Sequence, residues 1–130
     1  EVRILKMAFA RTPQARELRG LREASLTIVR ARAVGASLAL GDTDTARYWL
    51  TQMTLEAPAV WADTARGRAF LDLMLDHALD VMLGPLQMGQ HIRCSPAELV
   101  PCLYAVLPPA AVVLWAYRDA AVQKVQPYVT

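Results

Sequence analysis

The chain is long enough to build one hydrophobic core and too poor in cysteine for a disulfide framework. It has 130 residues, of which 55% are hydrophobic, two cysteines and a mean hydropathy of +0.23. These values exclude a disulfide-stapled scaffold and favour one domain over residues 1–130. Because this apolar share is high for a monomer, either the domain buries its apolar residues unusually well, or part of the apolar surface contacts a partner or a second copy.

Charge is unevenly distributed along the chain, although the net charge is only +2. Residues 1–36 carry eight Lys and Arg against three acids, whereas the remainder carries six against nine. A basic first third permits contact with a polyanion or an acidic partner. The interpretation that we favour is a bundle in which basic and acidic helices pack side by side, because Glu17 and Glu23 interrupt the basic run.

Helical signals dominate from the start of the chain, and strand alternation and tight hairpin turns are absent. A short helix is predicted over Arg3–Ala10, and a long one over residues 13–40, with Thr12 as its N-cap. The apolar face predicted for the long helix comprises Leu18, Leu21, Ile28, Val29, Ala36 and Leu40. The opposite, solvent-facing side is predicted to carry Arg16, Arg19, Glu23 and Arg30.

A glycine-aspartate turn is predicted to end the long helix and to cap the next one. Apolar residues then recur at helical spacing until Pro58. Residues 41–58 resemble the turn, second helix and closing proline of a tetratricopeptide repeat, although the family's period of about 34 residues does not recur. The resemblance implies an antiparallel helix pair, and it is carried by Gly41, Asp42, Ala46, Trp49, Leu50 and Pro58.

The next helix, predicted over residues 59–83, is apolar on most sides and is therefore expected near the centre of the bundle. Its acids Asp72, Asp76 and Asp80 stand four residues apart and form one narrow stripe. We interpret the stripe as a solvated face, with Arg68 expected to pair with Asp72. A divalent-cation site is the alternative, because hard ions prefer carboxylate oxygens.

A run of uncharged residues from Leu99 to Tyr117 is long enough to cross a bilayer. However, Pro101, Pro108 and Pro109 would leave backbone groups unpaired in lipid, so a membrane span is not expected. We predict instead two short buried helices that meet at the paired prolines. The first should begin at Pro96 with a capping box formed by Ser95 and Glu98, and the second should continue towards Lys124.

Residues suited to metal or thiol chemistry are few, and no complete ligand or catalytic set is apparent. His91 and Cys94 stand three apart, but no second pair completes a zinc site, and Cys102 lies within an apolar run. Phosphate-loop, dinucleotide-binding and nucleophile-elbow motifs are absent. We therefore predict no enzyme activity, no cofactor and no metal.

The sequence predicts an all-α bundle of five to seven helices arranged as antiparallel pairs. The expected function is a non-enzymatic protein-interaction domain, such as an adaptor, a chaperone or an assembly subunit, whose partner is another protein or a second copy. Trp61 and Met88, near helix ends, are the predicted exposed anchors. The alternative is binding of nucleic acid or an anionic surface by helix 13–40 through Arg16, Arg19 and Arg30. No signal peptide is visible, so an intracellular location is expected.

Overall fold

The protein folds as the predicted all-α bundle. The computed structural model describes residues 16–84 and 94–129, and for residues 16–21 and 23 it describes the backbone alone. The predicted helix Arg3–Ala10 lies outside the described residues. Two 3₁₀ segments cover Pro109–Tyr117 and Gln126–Tyr128. The described α-helices are α1 (Arg16–Ala39), α2 (Thr43–Glu56), α3 (Ala59–Ala62), α4 (Thr64–Leu83), α5 (Pro96–Val106) and α6 (Arg118–Val125).

The centre of the bundle is α4, as its apolar composition predicts. It packs most extensively against α1 and also contacts α3, α5, α6 and the first 3₁₀ segment. The helices α1 and α4 approach closely at Gly35, where a β-carbon would stand 2.6 Å from the carbonyl oxygen of Met74 and 3.0 Å from the nitrogen of Ala78. Only glycine, which has no β-carbon, therefore fits at this crossing without moving the helices apart. Large core side chains with essentially no exposure include Leu38, Leu50, Met53, Phe70, Leu71, Met74, Leu75, Leu99, Leu103 and Leu114.

The face of α1 that packs into the bundle is not the predicted one. Ile28 and Leu40, placed on the buried face by sequence, are 38% and 37% exposed. Spacing placed the large residues Ile28 and Leu40 on the buried face, whereas the close approach at Gly35 turns another side of the helix towards α4. The buried residues of α1 are Leu26, Arg30, Ala31, Val34, Gly35, Ser37, Leu38 and Ala39.

The first two described helices form the antiparallel pair that the turn predicts. Gly41 has a φ of 76°, a left-handed conformation that favours glycine, and Asp42 caps α2 by accepting from the backbone N–H of Thr45 at 3.1 Å. Arg30 and Glu56 lie at similar distances along the sequence on either side of this turn, so the antiparallel arrangement brings them together. They form an ion pair with a nitrogen–oxygen distance of 2.7 Å. The pair joins the middle of α1 to the C-terminal end of α2.

The helix predicted over residues 59–83 is divided into α3 and α4. The backbone of Asp63 is extended (φ −111°, ψ 118°), and its carboxylate accepts from the N–H groups of Ala65 and Arg66 at 2.9 and 3.4 Å. Aspartate is a strong N-cap, so it starts α4 at Thr64 rather than continuing the preceding turn. The single predicted helix was wrong at this point, because apolar spacing alone does not reveal the break.

The uncharged run also breaks at the paired prolines, as predicted. Leu107 and Pro108 are extended, with ψ values of 135° and 158°, so α5 ends at Val106. At its beginning the Ser95 hydroxyl contacts the Glu98 carboxylate at 3.2 Å and does not cap a backbone N–H, so the predicted capping box is formed only in part. In the described ranges, no helix is both long and apolar enough to cross a membrane.

The second half of the uncharged run is 3₁₀-helical before it becomes α-helical at Arg118, whereas sequence predicted one α-helix. The hydroxyl of the buried Tyr104 donates to the Leu114 carbonyl at 2.6 Å. In an α-helix that carbonyl would accept from the N–H of Arg118, which instead donates to the Trp115 carbonyl. A side chain of α5 therefore favours the tighter winding.

Candidate functional site

An exposed apolar row lies on the first 3₁₀ segment. The backbone departs from helical geometry at Ala111, and beyond this kink a turn of three residues repeats up to the start of α6. Residues three apart are therefore eclipsed. Ala111 and Leu114 are fully buried on the inner edge, whereas Val112 and Trp115 on the outer edge are 69% and 51% exposed. We call Val112, Trp115 and Arg118 the outer row.

The end of the outer row is organised by an aromatic pair and a guanidinium group. Trp115 and Tyr104 meet edge to face, with ring centroids 4.9 Å apart. The guanidinium carbon of Arg118 lies 5.9 Å from the Tyr104 centroid and 6.0 Å from that of Trp115, within cation–π range. Burial raises the pKa of Tyr104, against the opposing effect of the Arg118 charge, so the hydroxyl remains a hydrogen-bond donor at neutral pH.

The guanidinium of Arg118 lies near two aromatic rings, which leave its N–H donors free to form hydrogen bonds. Among the described residues, no acidic side chain forms an ion pair with it. A guanidinium is planar and carries five N–H donors. The outer row thus combines two exposed apolar side chains with an exposed cation.

Two acids of the aspartate stripe on α4 form ion pairs with a lysine of α6. Lys124 Nζ lies 2.9 Å from Asp76 and 3.6 Å from Asp72, while the guanidinium of Arg68 lies over the Tyr117 ring at 5.2 Å. The predicted pairing of Arg68 with Asp72 is therefore wrong. Burial lowers the pKa of Lys124, but its hydrogen bond to Asp76 and the charge of Asp72 outweigh burial and raise the pKa overall.

Comparison with known protein families, with characterised proteins and with solved structures found no match to this chain. The candidate surface is therefore identified from its own geometry. Its three residues were not selected from sequence, where Val112 and Trp115 belonged to a run predicted to be buried. These residues share one edge because the segment repeats every three residues. That repeat can be recognised only once the 3₁₀ winding is known.

Two of the predicted contact residues are buried, which corrects the exposure expected of them. Arg30 is 3% exposed, because it lies on the core side of α1 and pairs with Glu56. Its Nε has no hydrogen-bond partner among the described residues. Trp61 is 6% exposed, packs edge to face on Phe70 and donates from Nε1 to Thr54 at 2.9 Å. Trp61 lies near helix ends, as the sequence indicates, but its ring on the short helix α3 packs into the core.

The remaining predicted contact residues are not tested by the structure. Arg16 and Arg19 belong to the first turn of α1, whose side chains are outside the description, and Met88 lies outside the described residues. The predicted roles of Arg16, Arg19 and Met88 in binding stay predictions.

The residues suited to metal or thiol chemistry are mostly separated in the part of the chain that is described. Over residues 16–84 and 94–129, no three His, Cys, Asp or Glu side chains lie close enough together to hold a metal ion. Burial, and then the neighbouring Cys102 thiol, raise the pKa of Cys94 to about 12, so this thiol is a poor nucleophile at neutral pH. Burial and the charge of Arg32 lower the pKa of His77, although Asp80 opposes them.

Proposed function

We propose that this protein is a non-enzymatic protein-interaction domain that binds its partner through the outer row. The observation that carries the proposal is the exposure of Val112 and Trp115 on a segment whose other edge is fully buried. Large apolar side chains side by side on a surface are typical of binding sites. Tryptophan and arginine are also the residue types most enriched among side chains that dominate binding energy.

The outer row is anchored firmly enough to act as a preformed surface. Leu114 fills the core, Tyr104 is hydrogen-bonded to it, and the Trp115 ring rests on Tyr104. A surface held in its bound geometry loses less conformational entropy on association. The alternative of nucleic-acid binding receives less support, because Arg30 is enclosed by its contact with Glu56 and cannot reach a phosphate.

Site-specific photocrosslinking tests the proposal in extracts of the source organism. A benzophenone amino acid is placed at Val112, on the outer row, and in a second protein at Leu55, which is 72% exposed on α2. We expect a discrete crosslinked product at position 112 that is absent at position 55. Unlabelled wild-type chain should compete with its formation, and the Trp115→Ala variant should not.

The control separates a specific contact from general stickiness, because both probe positions replace an exposed aliphatic side chain. Equal crosslinking at the two positions would contradict the proposal. So would the absence of any product at position 112, or competition by Trp115→Ala as strong as by the wild type. Circular dichroism of every variant establishes that the helical content is unchanged.

A further inference from the structure

We infer that the outer row binds a partner protein segment that presents a carboxylate next to an apolar side chain. The inference rests on the proposed function and adds the chemistry of the partner. The apolar side chain would cover Val112 and Trp115, and the carboxylate would meet the guanidinium of Arg118. The two requirements must be met together, since the three residues lie along one edge of the segment.

The case for a carboxylate comes from the state of Arg118. Its guanidinium lies over two aromatic rings, is exposed, and has no acidic partner among the described residues. Arg30, Arg47 and Arg66 are each within 4 Å of an acid, whereas Arg68, like Arg118, lies over an aromatic ring. A planar fork of N–H donors that has no acidic partner of its own matches the geometry of a carboxylate.

The case for a protein segment, and not a lipid surface, comes from the local charge. Asp119 follows Arg118 directly and is also exposed, so the end of the outer row has almost no net charge. Attraction to an anionic membrane requires a cluster of basic residues. One guanidinium beside a small apolar surface is suited to recognition of a single acidic side chain.

The case against a second copy of the chain comes from area. Stable dimers bury about 800 Å² on each partner, over roughly 20–30 residues. The outer row offers two large apolar side chains, of which Trp115 is already half covered by its own chain. A narrow contact of this kind fits a short segment better than the face of another bundle.

Selection of short random peptides displayed on phage tests the inference, with the full chain immobilised as the target. We expect the recovered peptides to be enriched in Asp or Glu close to Leu, Ile, Phe or Trp. The strongest peptide is then synthesised in two forms, one with its acid and one with the matching amide. Binding of both forms is measured by fluorescence anisotropy against wild type, Trp115→Ala, Arg118→Gln and two control variants.

The variants form a double-mutant cycle between Arg118 and the peptide carboxylate. Arg118→Gln should weaken binding of the acidic peptide about tenfold, and should hardly change binding of the amide peptide. Trp115→Ala should weaken both forms about tenfold or more. The controls Arg47→Gln and Leu55→Ala remove an exposed arginine and an exposed apolar side chain from α2, and should leave both affinities unchanged.

The outcomes distinguish failure of the inference from failure of the proposed function. Peptides that need Trp115 but show no acid enrichment and no coupling to Arg118 would overturn the partner chemistry and leave the interaction surface in place. Peptides indifferent to Trp115→Ala, or none recovered, would overturn the inference, and the crosslinking result would then decide the function. Self-association, or binding to anionic vesicles, that is lost in Trp115→Ala would also overturn it. Val112→Glu provides a second variant should Trp115→Ala not fold.

Discussion

The crossing of α1 with α4 and the outer row use small and large side chains in opposite ways. At the crossing, Gly35 lets two helices approach until a single added carbon would collide with backbone. On the outer row, a tryptophan and a valine remain exposed although the core is complete without them. The contrast shows that in this chain residue size does not indicate burial. Substitutions at the crossing should therefore change stability, and those on the outer row should change binding.

The largest effect is expected from Gly35→Ala. The added carbon would stand 2.6 Å from a backbone oxygen of α4, so the helices must separate. Overpacking against backbone should cost about 3 kcal/mol or more, and the gain of about 1 kcal/mol in helix propensity leaves a net loss of at least about 2 kcal/mol. Thermal unfolding followed by circular dichroism measures the change. Gly67→Ala is the matched control, because its nearest contact is 3.3 Å, and a comparable loss of stability there would remove the distinction.

The next effect concerns the buried guanidinium on the same side of α1. Glu56→Ala leaves Arg30 enclosed without a carboxylate, whereas Arg30→Met removes the charge and leaves Glu56, whose side chain is 33% exposed. We expect Glu56→Ala to lower the free energy of unfolding by about 2 kcal/mol, less than for a fully enclosed pair because water reaches Glu56. Arg30→Met should cost less, and urea unfolding that ranks the two variants in reverse order would contradict this assignment.

Tyr104→Phe connects the two regions, since its hydroxyl joins α5 to the segment that carries the outer row. Loss of the hydrogen bond leaves the Leu114 carbonyl without that donor and should cost about 1–2 kcal/mol. Binding at the outer row should weaken as well, because the winding changes. Tyr48→Phe, at an exposed ring on α2, is the control and should alter neither quantity.

Val112→Asn should change the free energy of unfolding by no more than about 0.5 kcal/mol, because its side chain is largely in water. Peptide binding should nevertheless decrease, and unlabelled Val112→Asn should compete less well than the wild type with crosslinking at position 112. A large loss of stability measured by urea unfolding would mean that this side chain supports the fold, and the contrast with Gly35 would then disappear.

The smallest effect is a pH dependence at the edge of the α1–α4 interface. The pKa of His77 in the fold lies below its ordinary value of 6.5, so the unfolded chain takes up this proton first as the pH falls. The stability due to neutral His77 is present above pH 6.5 and is lost as the pH falls through the folded pKa. His77→Gln should reduce this loss in melts recorded between neutral and mildly acidic pH, and an identical pH profile for both proteins would show that His77 is not responsible.

Local signals predicted the helix boundaries better than they predicted burial. Gly41, Asp42 and Pro108 act through their own backbone or side chain, so their positions in sequence specify the turn, the cap and the break. The buried face of α1 depends on Gly35 meeting a helix that begins nearly thirty residues later. Spacing within α1 could not show this, and it placed Arg30 on the wrong side.

The candidate surface was less predictable for a related reason. Trp115 was assigned to a buried helix because its neighbours are apolar, and nothing in that run indicates a repeat of three. The 3₁₀ segment also accepts a hydrogen bond from Tyr104, ten residues before Leu114. Such a contact between elements is not contained in the spacing of either one.

The winding of the first 3₁₀ segment also sets the length of the recognition edge. With a rise of about 2.0 Å per residue, the 3₁₀ winding places Val112 and Arg118 about 12 Å apart along the axis and in line. An α-helix would shorten that separation to about 9 Å and rotate the two residues onto different sides. The spacing of the outer row therefore follows from the 3₁₀ winding. A ligand that matches the 12 Å separation would not fit if the segment became α-helical.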